Sequence, residues 1–466
     1  MNFYEGLGKY ASNVAVLTEQ AESINYQTLL NAADELGSHI EKRGLVFVVC
    51  KNSFESVAGY LGFLRAGAAL VLVNHTVHDS LFLNLLETYQ PEYIYLPSEK
   101  VLEKINAQSV RSFRQYQLLK THYQIDYTLH SDLALLLTTS GSTGSPKLVR
   151  QSYKNINSNA SSIAQYLHIT STDRPMTTMP MSYTYGLSII NSHLLKGASL
   201  ILTETTLMDR AFWQLMKTHQ ATTFGGVPYI YEMLKKLRFE RMNLLSLRYI
   251  TQAGGKLSKE LVQEFADICD QKNIKFYVMY GQTEATARMS YLPAEYACTK
   301  AGSMGIAIPG GKFWLEDETG KVIEENEVSG ELVYQGDNVT MGYAESRFDL
   351  AKGDENKGIL HTGDLAKRDT DGFYYIVGRK SRFLKMFGNR INLNEIEQLV
   401  KDSGYECACA GADDHLKIYV VNAKHLDQMK HGIAELIGIH PSGIEIISIN
   451  KIPRNETGKV LYSALN

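Results

Sequence analysis

A chain of 466 residues, 44% of them hydrophobic and 21% charged, exceeds what one hydrophobic core usually serves, so two or more domains are expected. The composition is that of an ordinary soluble globular protein, and five scattered cysteines suit a reducing cytosol better than a disulfide framework. A formal charge of -3 gives no electrostatic reason to expect nucleic acid or an anionic membrane as partner.

Taken in chain order, the opening residues Met1 to Glu5 lack the basic start and apolar stretch of a signal peptide. Leu29, Leu30, Ala33, Leu36 and Ile40 make a helical stripe within 26–44, ended by Gly44. Residues 45–50 are continuously apolar, which predicts a buried strand. Helix and strand patterns then alternate over 53–65, 69–73, 80–89 and 93–96. The most apolar window, 59–74, contains Arg65 and is too short to span a bilayer, so a cytoplasmic protein without a membrane span is expected. The rhythm recurs over 154–280, with strands at 199–202, 221–224, 249–252 and 275–279. Alternation of this kind implies βα units around largely parallel sheets.

From 312 to 375 the texture changes to short strands between turns such as 317–320 and 369–372, the pattern of a small β-barrel or meander. Within it 350–358 is charged and glycine-containing and reads as a solvated loop. A domain boundary is expected at 378/379. Beyond it a helix over 393–400, a strand over 415–420 and a helix over 427–437 describe a small α+β domain. Cys407 and Cys409, two apart, share one face of a strand, with no second Cys/His pair beside them to complete a metal site.

The strongest local signal is the apolar run 133–137, which empties into Thr138-Thr139-Ser140-Gly141-Ser142-Thr143-Gly144-Ser145-Pro146-Lys147. Glycines let such a loop turn backbone N–H groups and hydroxyls toward one anion, and a terminal lysine supplies the charge a polyphosphate requires. It is not a Walker loop, which needs Gly-Lys-Ser/Thr where this chain has Pro146 before Lys147. A P-loop NTPase or kinase is therefore not expected.

The loop resembles the phosphate loop of the acyl-adenylate-forming (AMP-binding) superfamily, the acyl-CoA synthetases, adenylation domains and luciferases. Further motifs of that family follow in order: Tyr280-Gly281-Gln282-Thr283-Glu284, Gly302-Ser303-Met304-Gly305, Gly330-Glu331-Leu332, Met341-Gly342-Tyr343, His361-Thr362-Gly363-Asp364, Gly378-Arg379, and Pro453-Arg454 with Thr457-Gly458-Lys459. The resemblance implies an α/β multi-domain fold: residues 1–378 as a large domain of two βα-layered sheets plus a small β-barrel at about 312–375, and 379–466 as a small, mobile C-terminal α+β lid. It implies ATP, Mg²⁺ and a thiol, coenzyme A first and the phosphopantetheine of a carrier protein second, acting on a small carboxylic acid. A non-catalytic relative on the same fold is the rival from another class.

The resemblance assigns Thr139, Ser140, Gly141, Ser142, Thr143, Gly144 and Lys147 to the β- and γ-phosphates, Thr283 to the α-phosphate and Glu284 to Mg²⁺. Tyr280, beside Gly281, would pack on adenine, with backbone from Gly254 and Gly255 at its edge. Asp364 would accept the ribose hydroxyls, Arg379 would contact ribose or phosphate, and Lys459 would bridge the carboxylate and the α-phosphate. Lys385 and Gly388 fall where the thiol side is built. An alternative reading makes Thr283 and Glu284 the capped start of a helix. Tyr183, where many relatives have histidine, joins Phe224, Gly225 and Val227 in an apolar acid pocket. At the hinge Ser381 stands where the family usually has an acidic residue, leaving Ser381 or Lys380 as the pivot.

Overall fold

Continuous apolar strands followed by amphipathic helices have one stable arrangement, a parallel sheet covered on its faces. In the computed structural model, which describes residues 2–100, 106–123, 128–138, 147–387, 389–423, 426–437, 440–454 and 460–465, two such sheets share a core. One has the order Tyr343–Ala344, Leu148–Ser152, Leu133–Thr138, Ala69–Asn74, Leu45–Cys50, Tyr93–Pro97, Tyr116–Thr121 and Ala107–Phe113. Its four central strands are parallel and its flanks antiparallel. The other runs from Ile306–Ala307 through Ser290–Leu292, Lys275–Tyr280, Tyr249–Gln252 and Thr223–Gly226 to Val14–Leu17 and Ser23–Asn25.

The helices Phe54–Arg65 and Thr184–Leu195 are buried almost all round, the second with Ser188, Asn191, Ser192 and His193 among its buried residues. Burying each core Leu or Val side chain contributes about 1.5–3 kcal/mol. Polar residues fix where helices start. Asn25 accepts from the Thr28 amide, and Ser152 and Asn155 form a reciprocal capping box at the head of Tyr153–Tyr166.

The expected βα alternation is present. Tyr249–Gln252 matches the sequence reading, and the helix Tyr26–Ser38 ends before Gly44. The hairpin Ala107–Phe113 and Tyr116–Thr121 was not expected; its first strand is a mostly polar, exposed edge without the apolar run that marks buried strands. Segment 350–358 also differs from a merely solvated loop. The fully buried Arg150 guanidinium draws on the carbonyls of Lys352, at 2.5 Å, and Gly353, and on the Glu355 carboxylate. A guanidinium out of water needs its donors met, and the loop supplies the partners of Nη1 and one partner of Nη2.

Two compact units divide the chain, residues 1–313 with 334–360, and residues 314–333 with 361–466. The expected 378/379 boundary falls inside the second unit, at the end of strand Tyr374–Arg379. That strand pairs with Ile359–Arg368, in a four-stranded sheet with Gly330–Gln335 and Lys312–Glu316. The same unit holds the hairpin Phe383–Met386 and Asn389–Asn392, and the sheet of Cys407–Ala412, His415–Val421 and Ile444–Ile449. Helices Leu393–Asp402 and Leu426–Ile437 accompany it. Leu384, Met386, Ile396, Val400, Ile418 and Ile444 form its core, with Cys407 and Cys409 buried among them. Among the described residues no helix is long and apolar enough to cross a membrane.

Candidate functional site

Within the first unit the phosphate and metal motifs converge. Lys147 immediately precedes strand Leu148–Ser152, and Tyr343 stands opposite Val149 across the antiparallel pair. The Lys147 ammonium lies 3.8 Å from the centre of the Tyr343 ring and 3.5 Å from a Glu345 carboxylate oxygen. The Tyr343 hydroxyl donates to Glu284 Oε1 at 2.7 Å. Burial and the Glu284 carboxylate hold that phenol well above its ordinary pKa, so it remains a donor.

Glu284 sits in a three-residue 3₁₀ turn, Thr283–Ala285, that has no side-chain cap. The capped-helix alternative therefore finds no support here. The turn is held from outside: the Thr340 amide and hydroxyl both donate to the Glu284 carbonyl, at 3.0 and 2.9 Å. Just before it the chain must pass Ala287 closely. A Cβ on Gly281 would lie 1.7 Å from the Ala287 carbonyl oxygen, so no larger residue fits the bend. Tyr280, at the end of strand Lys275–Tyr280, accepts a hydrogen bond from Gln282 Nε2 at 3.1 Å.

Glu284 Oε2 and the Thr283 hydroxyl have no partner among the described residues. A single carboxylate with a free oxygen suits Mg²⁺, which keeps waters and substrate phosphates in its shell and seldom needs an all-protein cage. Among the described residues no group of three His, Cys, Asp or Glu converges.

The adenine-edge and acid-pocket assignments also meet in this unit. The turn Ala253-Gly254-Gly255 follows strand Tyr249–Gln252, pinned by the Ala253 amide on the Gly226 carbonyl and by buried Gln252 Nε2 on the Gly255 carbonyl. Gly254 has φ +80°, and a Cβ there would lie 2.7 Å from the Tyr183 hydroxyl and 2.9 Å from Val227. Burial pushes the Tyr183 phenol up to about 12. Gly225 faces the Tyr185 hydroxyl, which is fixed on the Thr251 carbonyl at 2.9 Å. Tyr183, Val227 and Gly254 thus lie against one another, and Gly225 meets Tyr185, whose ring contacts that of Tyr183. Phe224 does not join them: neighbours on a strand alternate faces, and its ring packs edge-on against Phe239 in the core.

In the second unit Asp364 and Arg379 are register partners across two antiparallel strands, with Arg379 Nε donating to Asp364 Oδ1 at 2.7 Å. Lys380, one hinge candidate, is paired with Glu331 at 2.8 Å. Thr139, Ser140, Gly141, Ser142, Thr143 and Gly144, together with Gly388 and Lys459, lie outside the described residues, as do the side chains of Ser381 and Lys385.

Sequence reasoning quoted Tyr343 in a motif but gave it no role, and it passed over Thr340. Only the fold brings both to Glu284. His361 Nδ1 lies 3.7 Å from a Glu316 carboxylate oxygen.

The model of the family described as AMP-binding enzyme matches residues 3–344. The 2-succinylbenzoate–CoA ligase of Bacillus cytotoxicus is 29% identical over 443 residues, covering 91% of this chain and 89% of its own. That of Bacillus subtilis is 25% identical over 455 residues, covering 93% and 90%. Among solved structures, the O-succinylbenzoate coenzyme A synthetase of Bacillus subtilis in complex with AMP superposes with a TM-score of 0.79 at 22% identity, covering 100% of this chain and 98% of that one. ATP-bound MatB from Rhodopseudomonas palustris gives 0.78 at 21% identity, with 100% and 98% covered. The chain belongs to the AMP-binding enzyme family.

Proposed function

We propose that this protein is an AMP-forming acid–thiol ligase that joins a small carboxylic acid to coenzyme A. The observation that carries the reading is the meeting of Lys147 and Glu284 at Tyr343, a polyphosphate-binding cation and a magnesium-binding carboxylate brought within reach of one ring.

In the first half-reaction the acid's carboxylate oxygen attacks the α-phosphorus of ATP and pyrophosphate leaves. The obstacle is repulsion between two anions, and preorganised cations and donors lower it. Lys147 takes the β- and γ-phosphates, the Thr283 hydroxyl the α-phosphate, and Tyr280 with the 253–255 turn holds the base. Asp364, oriented by Arg379, accepts the ribose hydroxyls, and Lys459 bridges carboxylate and α-phosphate. Glu284 would hold Mg²⁺, which would supply positive charge to offset that of the leaving pyrophosphate. In the second half-reaction the sulfur of coenzyme A attacks the acyl carbonyl, its proton is lost to solvent, and AMP departs; Lys385 and Gly388 belong to that side.

Tyr183, Gly225 and Val227 give the acid pocket an apolar lining that suits an aryl or a short aliphatic acyl body. The relatives named 2-succinylbenzoate–CoA ligase make 2-succinylbenzoate the first acid to try. The five cysteines are unpaired thiols, in keeping with a cytoplasmic location. The test is acid-dependent ATP–pyrophosphate exchange over an acid panel, followed by assay of acyl-CoA and AMP with coenzyme A or a phosphopantetheinylated carrier. Thioester on coenzyme A is expected. Exchange with no acid of the panel would overturn the reading in favour of a binding protein.

A further inference from the structure

Tyr343 is mounted with unusual firmness for a residue on a two-residue edge strand. The buried Arg150 donates from Nε to the Tyr343 carbonyl at 3.0 Å and from Nη2 to the Met341 carbonyl at 2.8 Å. Its own amide bonds the Gly342 carbonyl at 2.9 Å. Thr340, three residues before Tyr343, holds the Glu284 backbone through two further hydrogen bonds. The short segment 340–343 therefore grips Glu284 at two points, by its main chain through Thr340 and by its carboxylate through Tyr343.

A glutamate side chain on an open turn would otherwise sample several rotamers, each aiming its oxygens differently. One oxygen is engaged by the phenol, and the other has no partner among the described residues. We propose that the Tyr343 hydroxyl is a positioning group that aims the free oxygen of Glu284 at the magnesium ion accompanying ATP. The inference rests on the ligase reading above, in which Glu284 is the metal-binding carboxylate. Tyr343 acts through Glu284 and does not touch the reacting atoms.

The ring stays in place without the hydroxyl, because Arg150 fixes its backbone; Tyr343→Phe therefore removes the orienting bond alone. Binding of Mn²⁺, a paramagnetic substitute for Mg²⁺, to the complex of the full-length protein with ATP is read by electron paramagnetic resonance. Losing one uncharged donor to a carboxylate should weaken that affinity by about 3- to 10-fold. ATP affinity measured without divalent metal should stay unchanged. In exchange assays the Mg²⁺ concentration for half-maximal rate should rise by a similar factor, while the rate at saturating Mg²⁺ changes little.

Equal losses of ATP affinity with and without metal would mean that Tyr343 only packs, and so would an unchanged Mn²⁺ affinity; either overturns the proposal. Glu284→Gln separates the two layers of the argument. If it leaves Mn²⁺ affinity intact, Glu284 is not the ligand and the metal assignment of the ligase reading falls with the proposal. If it abolishes metal binding while Tyr343→Phe does nothing, only the positioning role fails.

Discussion

Asp364 and Arg379 face each other as register partners on adjacent antiparallel strands, the carboxylate buried and the guanidinium largely exposed. This geometry leaves the carboxylate pre-aimed by a cation that solvent still reaches. Asp364→Asn should weaken ATP binding by about 10-fold or more, the scale of a hydrogen bond to a charged group. Calorimetric titration checks it, with 2′,3′-dideoxy-ATP as control. The dideoxy analogue, lacking the hydroxyls, should bind wild type and variant alike; an equal loss for both nucleotides would refute the ribose assignment.

Gly281→Ala should be destabilising. Its methyl would meet the Ala287 carbonyl oxygen at 1.7 Å, a backbone atom that cannot rotate away. Overpacking of this kind costs about 1–3 kcal/mol. Chemical denaturation should show a lower midpoint, and a variant as stable as the parent would mean that the 281–287 bend is held less tightly than described.

Lys459→Ala should slow adenylation by about 10²–10³, the scale for losing one preorganised contact to developing charge. Thioester formation from supplied acyl adenylate should survive. Single-turnover assays of each half-reaction decide it, and equal damage to both would remove Lys459 from the first step.

His193 predicts a pH dependence of stability. It is buried, its Nδ1–H donating to the Ile189 carbonyl at 2.8 Å and its Nε2 accepting from the Tyr249 hydroxyl at 3.0 Å. Burial pushes its pKa down to about 4; Arg288 and Arg248 act in the same direction, and Asp173 and the Ile189 hydrogen bond oppose them. An unfolded histidine titrates near 6.5. Between these values the unfolded chain holds the extra proton, so stability should fall as pH drops from about 6.5 toward 4. His193→Gln should be less stable at pH 7 and show a shallower loss between pH 6.5 and 5 in thermal melts. Parallel curves would assign the acid sensitivity to other groups.

Strands that are apolar throughout, such as Leu45–Cys50 and Tyr93–Pro97, were legible in the sequence because burial on both faces leaves no polar residue to blur the pattern. The edge hairpin at 107–121 was not, since half-exposed strands follow their neighbours more than their own composition. Phe224 illustrates a further limit. The sequence reading grouped it with Tyr183, Gly225 and Val227 by apolar character, and composition does not show that strand alternation sends Phe224 and Gly225 to opposite faces. Segment 350–358 read as solvent-facing because its charges are numerous, while its carbonyls, invisible to composition, serve the buried Arg150.

The order of the motifs by itself determined the family, the reaction class to propose and most residues to test, because chemistry that handles phosphate demands particular side chains at particular spacings. Only the tertiary structure decided that Tyr343 stands between Lys147 and Glu284 and that Asp364 is paired with Arg379. Those relationships depend on strand register and on a buried arginine fixing a distant backbone, and such long-range contacts leave no periodic trace along the chain.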